Sequence, residues 1–180
     1  MDSPMKKTFR NLSLTLACAI LAIPTLLQAH DNSKPLPERV RHELAMLPYF
    51  NVFDNLAYRV DGDTVTLSGD VTNPVLKSDA ERVVKHLEGV QHVVNSINVL
   101  PLSTFDWRIR RAEYRAIFGY AGLYRYAMGA QPSIRIIVSN GHVTLQGVVD
   151  NQGDKNIAGI RANGVPGVFS VKNELQVGHS

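Results

Sequence analysis

The segment Val60–Val71, VDGDTVTLSGDV, occurs a second time as Val138–Val149, VSNGHVTLQGVV. The similarity extends further, because Val65–Val99 aligns without a gap with Val143–Val177 and 13 of the 35 positions are identical. Unrelated segments of average composition would share only about two or three residues over this length. The chain therefore contains two copies of one small unit. Two copies are too few for a solenoid, so each makes its own core or the two share one.

Each copy has the pattern of an α-β-β-α-β unit, in which turn residues separate two alternating apolar runs and predict an antiparallel hairpin. The predicted elements of the first copy are a helix from Pro37 to Leu47, strands over Leu56–Val60 and Val65–Gly69, a helix over Ser78–Glu88 followed by Gly89 in a left-handed conformation, and a strand over Val93–Val99. Those of the second copy are a helix over Asp106–Phe118, strands over Ile134–Val138 and Val143–Val149, a helix over Asp154–Ala162 and a strand over Val168–Val177. The pattern predicts an α+β protein of two tandem units.

These elements divide the chain into successive segments. Aligning Val40 with Ile109 gives an offset of 69 residues, against 78 in the hairpins, which predicts an insertion of about nine residues around 119–130. The short linker predicts that the two units pack together and do not move independently. The predicted segments are a signal peptide at 1–29, a flexible segment at 30–36, a first domain at 37–100, a linker at 101–105 and a second domain at 106–178.

The first 29 residues have the layout of an export signal. A basic start is followed by an apolar run of about 16 residues and a small residue, Ala29, which predicts cleavage near His30 and a periplasmic protein. The run is short for a membrane span, which needs roughly 20 residues. An uncleaved inner-membrane anchor is the alternative, and lipidation at Cys18 is disfavoured because the preceding residues match a lipobox poorly.

Removal of this signal changes the charge and cysteine content. The chain has 19 basic and 16 acidic residues, of which the first 29 hold three and one, so the remainder has a net charge of +1. Cys18 is the only cysteine, and without it the chain cannot form disulfides. The nearly neutral remainder is not a nucleic-acid-binding composition, and its stability depends on hydrophobic burial.

The hairpin motif and the Gly-Val pair before each final strand, Gly89-Val90 and Gly167-Val168, resemble the BON domain, a module named after the bacterial OsmY and nodulation proteins. The resemblance covers nearly all of residues 37–178. It implies, for each unit, a three-stranded mixed sheet covered by two helices. It also implies a periplasmic envelope protein with a role in binding phospholipid surfaces and in envelope maintenance under osmotic or other envelope stress.

No sequence motif indicates catalysis, a metal or a cofactor. The six histidines show no metal-ligand spacing, and no nucleophile motif, phosphate loop or dinucleotide fingerprint is present. Gly69 and Gly147 are open to two interpretations, a ligand groove or a bulge or close helix crossing, of which the second is favoured. Asn95 and Asn173 are expected to satisfy backbone groups near the last strand rather than to bind a ligand.

One segment, Asp106–Phe118, combines aromatic and basic residues. At 100° per residue, Ile109, Ala112 and Ala116 form a narrow stripe that predicts the face toward the core. Aromatic rings and guanidinium groups on the other side suit a membrane interface and its phosphates. The alternative is that the aromatic side chains pack against the first domain while the arginines stay in solvent. The residues predicted to bind lipid or another anion are Trp107, Arg110, Arg111, Tyr114, Arg115 and Phe118.

The sequence thus predicts a non-enzymatic protein that binds the anionic phospholipid surface of the envelope as a peripheral protein, with other envelope proteins as further partners and no cofactor. The alternative is a soluble periplasmic chaperone-like protein that holds client polypeptides in exposed apolar grooves. An enzyme is disfavoured because no catalytic constellation is present. Single-stranded nucleic acid could in principle stack on the aromatic stripe, but the exported, nearly neutral chain makes this partner the least favoured.

Overall fold

The computed structural model describes residues 34–129 and 131–178, and the predicted signal peptide with its cleavage site lies outside the described residues. Two successive α-β-β-α-β halves make up this part of the chain. The first half consists of α1 (Leu36–Ala45), β1 (Asn55–Asp61), β2 (Thr64–Val71), α2 (Pro74–Lys85), β3 (His92–Asn95) and β4 (Asn98–Val99). The second half consists of α3 (Thr104–Phe118), a 3-10 turn (Tyr124–Ala127), β5 (Ile134–Ser139), β6 (His142–Val149), α4 (Gln152–Asn163), β7 (Ser170–Asn173) and β8 (Gln176–Val177). The predicted α+β fold class is confirmed.

Each half contains a mixed sheet built on a tight hairpin. β1 and β2 are antiparallel, as are β5 and β6, and a two-residue turn joins the strands of each pair. The turn residues Gly62, Asn140 and Gly141 have φ angles of 62°, 51° and 79°, as such turns require. β3 and β4 then run parallel to β2, and β7 and β8 run parallel to β6. The last predicted strand of each half is therefore split into two short pieces along one edge.

The equivalent glycines Gly69 and Gly147 share a strained backbone position in the middle strand. Both have a φ of 115°, and a β-carbon there would collide with the carbonyl oxygen of Asn55 or Ser133 on the neighbouring strand. The structural interpretation is confirmed, although the close neighbour is a strand carbonyl and not a helix. These glycines are needed because the backbone, not a ligand, comes close.

Two asparagines join the edge strand to the helix of each half. Asn95 Nδ2 donates to the carbonyl of Lys77 (2.9 Å), and Asn173 Nδ2 donates to that of Lys155 (2.7 Å). The Oδ1 atom of each accepts from a backbone N–H two residues further on. These bonds satisfy the backbone at the break between the two short strands, as expected for asparagines of structural rather than ligand-binding role.

The helix boundaries differ from the predicted ones mainly in α2. This helix begins at Pro74, four residues before the predicted start, because Asn73 Oδ1 accepts from the N–H of Val75 (3.0 Å) and caps it. It ends at Lys85, so Gly89, with a φ of 91°, lies in the following loop and not at the helix terminus. The sequence signal for this helix start is Asn73-Pro74, a capping residue followed by proline.

The core consists of two hydrophobic clusters, one in each half. Apolar side chains from one face of each sheet pack against both helices of the same half. None of the helices in the described segments is both long and apolar enough to span a bilayer. The buried members of the first cluster are Val40, Leu44, Leu47, Val65, Leu67, Val71, Leu76, Ala80, Val84, Leu87 and Ile97.

The loop between α1 and β1, residues 46–54, contacts both halves and is called the connecting loop below. Val52 is 7% exposed and belongs to the core cluster of the second half. Its carbonyl accepts a hydrogen bond from the N–H of Ile136 in β5 (2.9 Å), and Arg135 Nη1 donates to the carbonyl of Asn51 (3.1 Å). The described residues, 34–129 and 131–178, accordingly belong to one compact unit.

Candidate functional site

The exposed side of α3 carries three arginines, Arg108, Arg111 and Arg115. Their spacing of three and four residues places them on one face of the helix, and all three are exposed. The Arg108 guanidinium lies 5.9 Å from the centroid of the Phe105 ring. Arg111 and Arg115 have no hydrogen-bond or ion-pair partner in the part of the chain that the structure describes. These two charges are therefore available to a ligand.

Both acidic residues of α3 are turned away from this face. The Asp106 carboxylate accepts hydrogen bonds from the backbone N–H groups of Asn140 (2.9 Å) and Gly141 (2.8 Å) in the β5–β6 turn. Glu113 is 0% exposed. Because neither carboxylate is near the surface, the arginine face of α3 carries positive charge without neutralisation from its own helix.

Two of the six residues predicted to face outward are buried. Arg110 and Phe118 are each 4% exposed, so their predicted placement in an outward patch is wrong. The other four are exposed, with Trp107 at 48% and Tyr114 at 42%. The outward face of α3 is therefore smaller than predicted, but it gains Arg108.

The error has a single geometric cause. The predicted core stripe ran through Ala112 and Ala116, which are only half-buried, whereas the buried face is centred near Glu113. On a helical wheel this corresponds to a rotation of about 90°. Charged side chains are rarely buried, so sequence analysis assigns them to solvent. In α3 three of them, Asp106, Arg110 and Glu113, lie in the interior.

The aromatic side chains of α3 pack against the loop that connects the halves. The Phe53 ring meets the Trp107 ring edge-on, with centroids 5.7 Å apart, and the Tyr114 ring at 6.4 Å. Tyr114 also contacts Phe118, with ring centroids 5.0 Å apart. On one side, the rings of Trp107 and Tyr114 thus contact the first half, as in the alternative interpretation. About half of the surface of each residue remains in solvent.

Two surface grooves flank the arginine face. One has a volume of about 520 Å³ and is lined by the three arginines together with Phe105, Ile109, Ala112 and Pro166. The other has a volume of about 300 Å³ and is lined by Val52, Phe53, Arg111, Tyr114 and Arg115. Arg111 and Arg115 stand between them. This arrangement can hold an anionic group beside an apolar surface.

Arg110 is a buried cation that joins α3 to β5. Its Nη2 donates to the carbonyl of Val138 (2.6 Å), while its Nε has no partner among the described residues. Burial lowers the pKa of Arg110, and the nearby carboxylates of Asp106 and Asp54 oppose this shift. Asp54 itself accepts hydrogen bonds from the N–H and hydroxyl of Thr72, just before α2. The role of Arg110 is therefore structural.

Glu113 occupies the position that Leu44 has in the first half, four residues after the aligned pair Val40 and Ile109. Both of its carboxyl oxygens are buried and lack a hydrogen-bond partner in the described part of the chain. Burial raises the pKa of Glu113 to about 8. A carboxyl group in such a site is uncharged at neutral pH.

The insertion between α3 and β5 is tied to α4 by a polar cluster. The Tyr126 hydroxyl donates to Asp154 Oδ2 (2.6 Å) and accepts from the N–H of Asp150 (2.9 Å). Arg125 forms ion pairs with both Asp150 and Asp154. Asp154 replaces the buried Leu76 of the first half. Each polar side chain of the cluster has a partner within the protein, so the cluster holds the insertion against the start of α4.

No metal site is evident in the described ranges. Residues 34–129 and 131–178 contain no group of three or more His, Cys, Asp or Glu side chains that could hold a metal ion. His42, His86, His92 and His142 are all exposed. The candidate site described here is therefore the exposed arginine face of α3 with its flanking grooves.

A hairpin-based mixed sheet with two helices, present twice in one chain, defines a tandem-domain protein. A family model described as BON domain matches residues 34–101 and again residues 125–179. The chain therefore belongs to the BON-domain family, and the resemblance seen in the sequence is confirmed. α3 falls between the two matched segments, so the arginine face lies in a part of the chain that the family pattern does not cover.

Among known proteins, Osmotically-inducible protein Y of Escherichia coli (strain K12) is 31% identical to the chain over 133 residues. The alignment covers 68% of this chain and 61% of that protein, so the chain spans less than two thirds of its relative.

Two solved structures of CdsD, a structural protein of the type III secretion system of Chlamydia trachomatis, also align with the chain. The C-terminal domain of CdsD has 15% identity and a TM-score of 0.29 over 80% of this chain and 98% of that one. The second structure has 13% identity and a TM-score of 0.30 over 80% of this chain and 93% of that one.

Proposed function

We propose that this BON protein is a non-enzymatic, peripheral periplasmic protein that binds the anionic phospholipid surface of the envelope through α3 and serves envelope maintenance. The observation that carries the proposal is the exposed face of Arg108, Arg111 and Arg115, from which both acidic residues of the helix are withdrawn. The name of the Escherichia coli relative, osmotically inducible, supports a role under osmotic stress. The export signal predicted for residues 1–29 supports the compartment.

The side chains around the arginines suit the boundary between headgroups and water. Trp107 and Tyr114 each expose about half of their surface beside Arg111 and Arg115. Guanidinium groups pair with phosphate in a bidentate geometry, and aromatic rings settle at headgroup depth. Arg110 and Phe118 take no part because they are buried. The binding residues proposed from the structure are Trp107, Arg108, Arg111, Tyr114 and Arg115.

The expected affinity is modest. Each arginine near an anionic leaflet contributes about 1 kcal/mol, so three contribute about 3 kcal/mol before screening by salt. Phe53 already covers one side of the aromatic rings, which limits how far they can insert. Binding should therefore be reversible and sensitive to ionic strength, as for a peripheral protein and not an anchor.

Co-sedimentation with vesicles tests the proposal. The chain starting at His30 is mixed with vesicles of phosphatidylglycerol and phosphatidylcholine, or of phosphatidylcholine alone, at low and high salt. We expect binding to the anionic vesicles only, a loss at high salt, and a blue shift of Trp107 fluorescence. The variant R108E/R111E/R115E should fold normally, since exposed charges contribute little to stability, and should no longer bind.

A matched control carries the same change of charge elsewhere. Arg41, Arg82 and Lys85 are exposed on α1 and α2, and R41E/R82E/K85E should bind anionic vesicles nearly as well as the unmodified chain. Equal loss in both triple variants would show that only net charge matters. Unchanged binding by R108E/R111E/R115E, or equal binding to neutral vesicles, would contradict the proposal.

A second candidate is the chaperone-like function. It is supported by an apolar groove of about 510 Å³ beside the linker, lined in part by Pro74, Pro101, Leu102 and Trp107. Leu102 is 97% exposed there. If the groove holds client polypeptides, the chain should suppress aggregation of an unfolded model protein at high salt. The variant L102S should reduce that effect while leaving vesicle binding intact.

A further inference from the structure

The outer edge of β1 is the feature that neither the core nor the proposed function uses. β1 is the terminal strand of its sheet, seven residues long, without proline. Asp61 and Thr64 close the two-residue turn, so hydrogen-bonded and non-hydrogen-bonded pairs alternate from that point along the hairpin. The N–H and C=O groups of Leu56, Tyr58 and Val60 consequently point away from β2, along the free edge.

The second half shows how the same edge is covered. Ile136 has the register position of Tyr58, and its N–H donates outward to the carbonyl of Val52 (2.9 Å). With the connecting loop in place, the inward-facing residues of β5 are fully buried, since Ile134, Ile136 and Val138 are each 0% exposed.

On the first half this edge has no such cover. Leu56, Tyr58 and Val60 are only half-buried, and no described segment forms a hydrogen bond to their outward N–H or C=O groups. An unprotected edge of this length is a template for another strand, and native proteins commonly block it with proline, a bulge or a covering loop. The unprotected edge of β1 therefore indicates that another strand pairs with it.

We propose that the occupant is β1 of a second copy of this chain, paired antiparallel about a two-fold axis at Tyr58. The register makes the strand self-complementary, because a two-fold at this position pairs Tyr58 with Tyr58 and Leu56 with Val60 of the second copy. These are the residues whose backbone groups point outward, so each pair exchanges two N–H···O bonds. The two sheets then become one continuous sheet, and the half-buried apolar side chains cover one another.

The opposite face of the strand is compatible with this pairing. In the same register Ala57 lies opposite Arg59, and Asn55 lies opposite Asp61, so no two like charges stand directly opposite each other. The loop of a second copy is a poorer occupant, because Val52 and Phe53 are already engaged with the second half. Glu38 and Ala45, which align with Trp107 and Tyr114, offer no aromatic surface to receive such a loop.

Sedimentation velocity on the chain starting at His30 tests the pairing. A single short strand pair buries little surface, so a monomer–dimer equilibrium that depends on concentration is expected. Tyr58→Pro removes one outward N–H from each copy while leaving the β1–β2 hydrogen bonds in place, as proline is tolerated on edge strands. Dimerisation should weaken about 10- to 100-fold with two hydrogen bonds lost, while vesicle binding and the melting temperature change little.

Cysteine cross-linking decides the register, and does so even if the proline variant fails to fold. The chain from His30 has no native cysteine. Opposed Cα atoms in a hydrogen-bonded antiparallel pair lie about 5.5 Å apart, within disulfide range. Tyr58→Cys should therefore form a covalent dimer on oxidation, and the control Arg59→Cys should not, because Arg59 faces Ala57. A chain that stays monomeric at every concentration, a dimer that Tyr58→Pro leaves unchanged, or cross-linking through Arg59→Cys and not Tyr58→Cys would each overturn the proposal.

Discussion

The buried carboxyl group of Glu113 should make the stability of the protein depend on pH in a defined direction. The pKa of Glu113 is about 8 in the folded chain, against 4.5 in an ordinary environment. Below pH 4.5 the group is protonated in both the folded and the unfolded state. As the pH rises, the unfolded chain loses this proton first. The free energy of unfolding therefore decreases with pH, and it stops decreasing once the pH has passed about 8.

The magnitude follows from the interval between the two pKa values. At 1.36 kcal/mol per pH unit, the free energy of unfolding should fall by about 5 kcal/mol between the two limits, with relaxation around the site reducing this value. Because folded domains are stable by only about 5–15 kcal/mol, the effect should dominate the alkaline side of the stability profile.

Urea unfolding at a series of pH values from about 5 to about 9 measures this effect. Glu113→Gln keeps the size of the side chain but cannot ionise, so its profile should lack the decline and serves as the baseline for all other groups. Glu113→Leu reproduces Leu44 of the first half and should be the most stable of the three at pH 9, by about 3–5 kcal/mol over the unmodified chain. If the unmodified chain and Glu113→Gln show the same pH dependence, the carboxyl group is not buried as described and the reasoning fails.

Three further outcomes are expected. Gly69→Val and Gly147→Val should each lower the free energy of unfolding by about 1–3 kcal/mol, since each places a side chain against a neighbouring carbonyl at positive φ; an unchanged thermal melt would contradict this. Phe53→Ala should cost about 1–3 kcal/mol by removing the ring that covers Trp107, and should shift Trp107 fluorescence to the red without abolishing vesicle binding. N-terminal sequencing of periplasmic extract should find a chain that begins at or near His30, whereas intact Met1 in the membrane fraction would show that the signal is retained.

The repeated hairpin was predictable because its signals are local. Asn140-Gly141 specifies a two-residue turn by conformational preference alone, and the alternation around it assigns each side chain to a face of the sheet. The fold class, the hairpins and the structural role of Gly69 and Gly147 followed from such local rules. The start of α2 was also encoded locally, by Asn73 and Pro74.

The orientation of α3 could not be predicted in this way, because it depends on groups far away in sequence. Asp106 is buried because it binds the N–H groups of the β5–β6 turn, 34 and 35 residues later. Arg110 can be buried because its Nη2 donates a hydrogen bond to the carbonyl of Val138, 28 residues later. Helical periodicity carries no record of these partners. The one signal available was that the aligned position of Glu113 in the first copy is the apolar Leu44.

The placement of Val52 in the core of the second half has a consequence for how the duplicated chain behaves as a whole. The repeated unit ends at the linker, but the hydrophobic core of the second half includes Val52 from the first half. The second copy, cut out at the linker, would lack Val52 and the loop that covers β5, and would unfold at a lower temperature than in the intact chain. The second copy thus depends on the first for part of its core, and the first copy cannot be lost or exchanged without a cost in stability to the second.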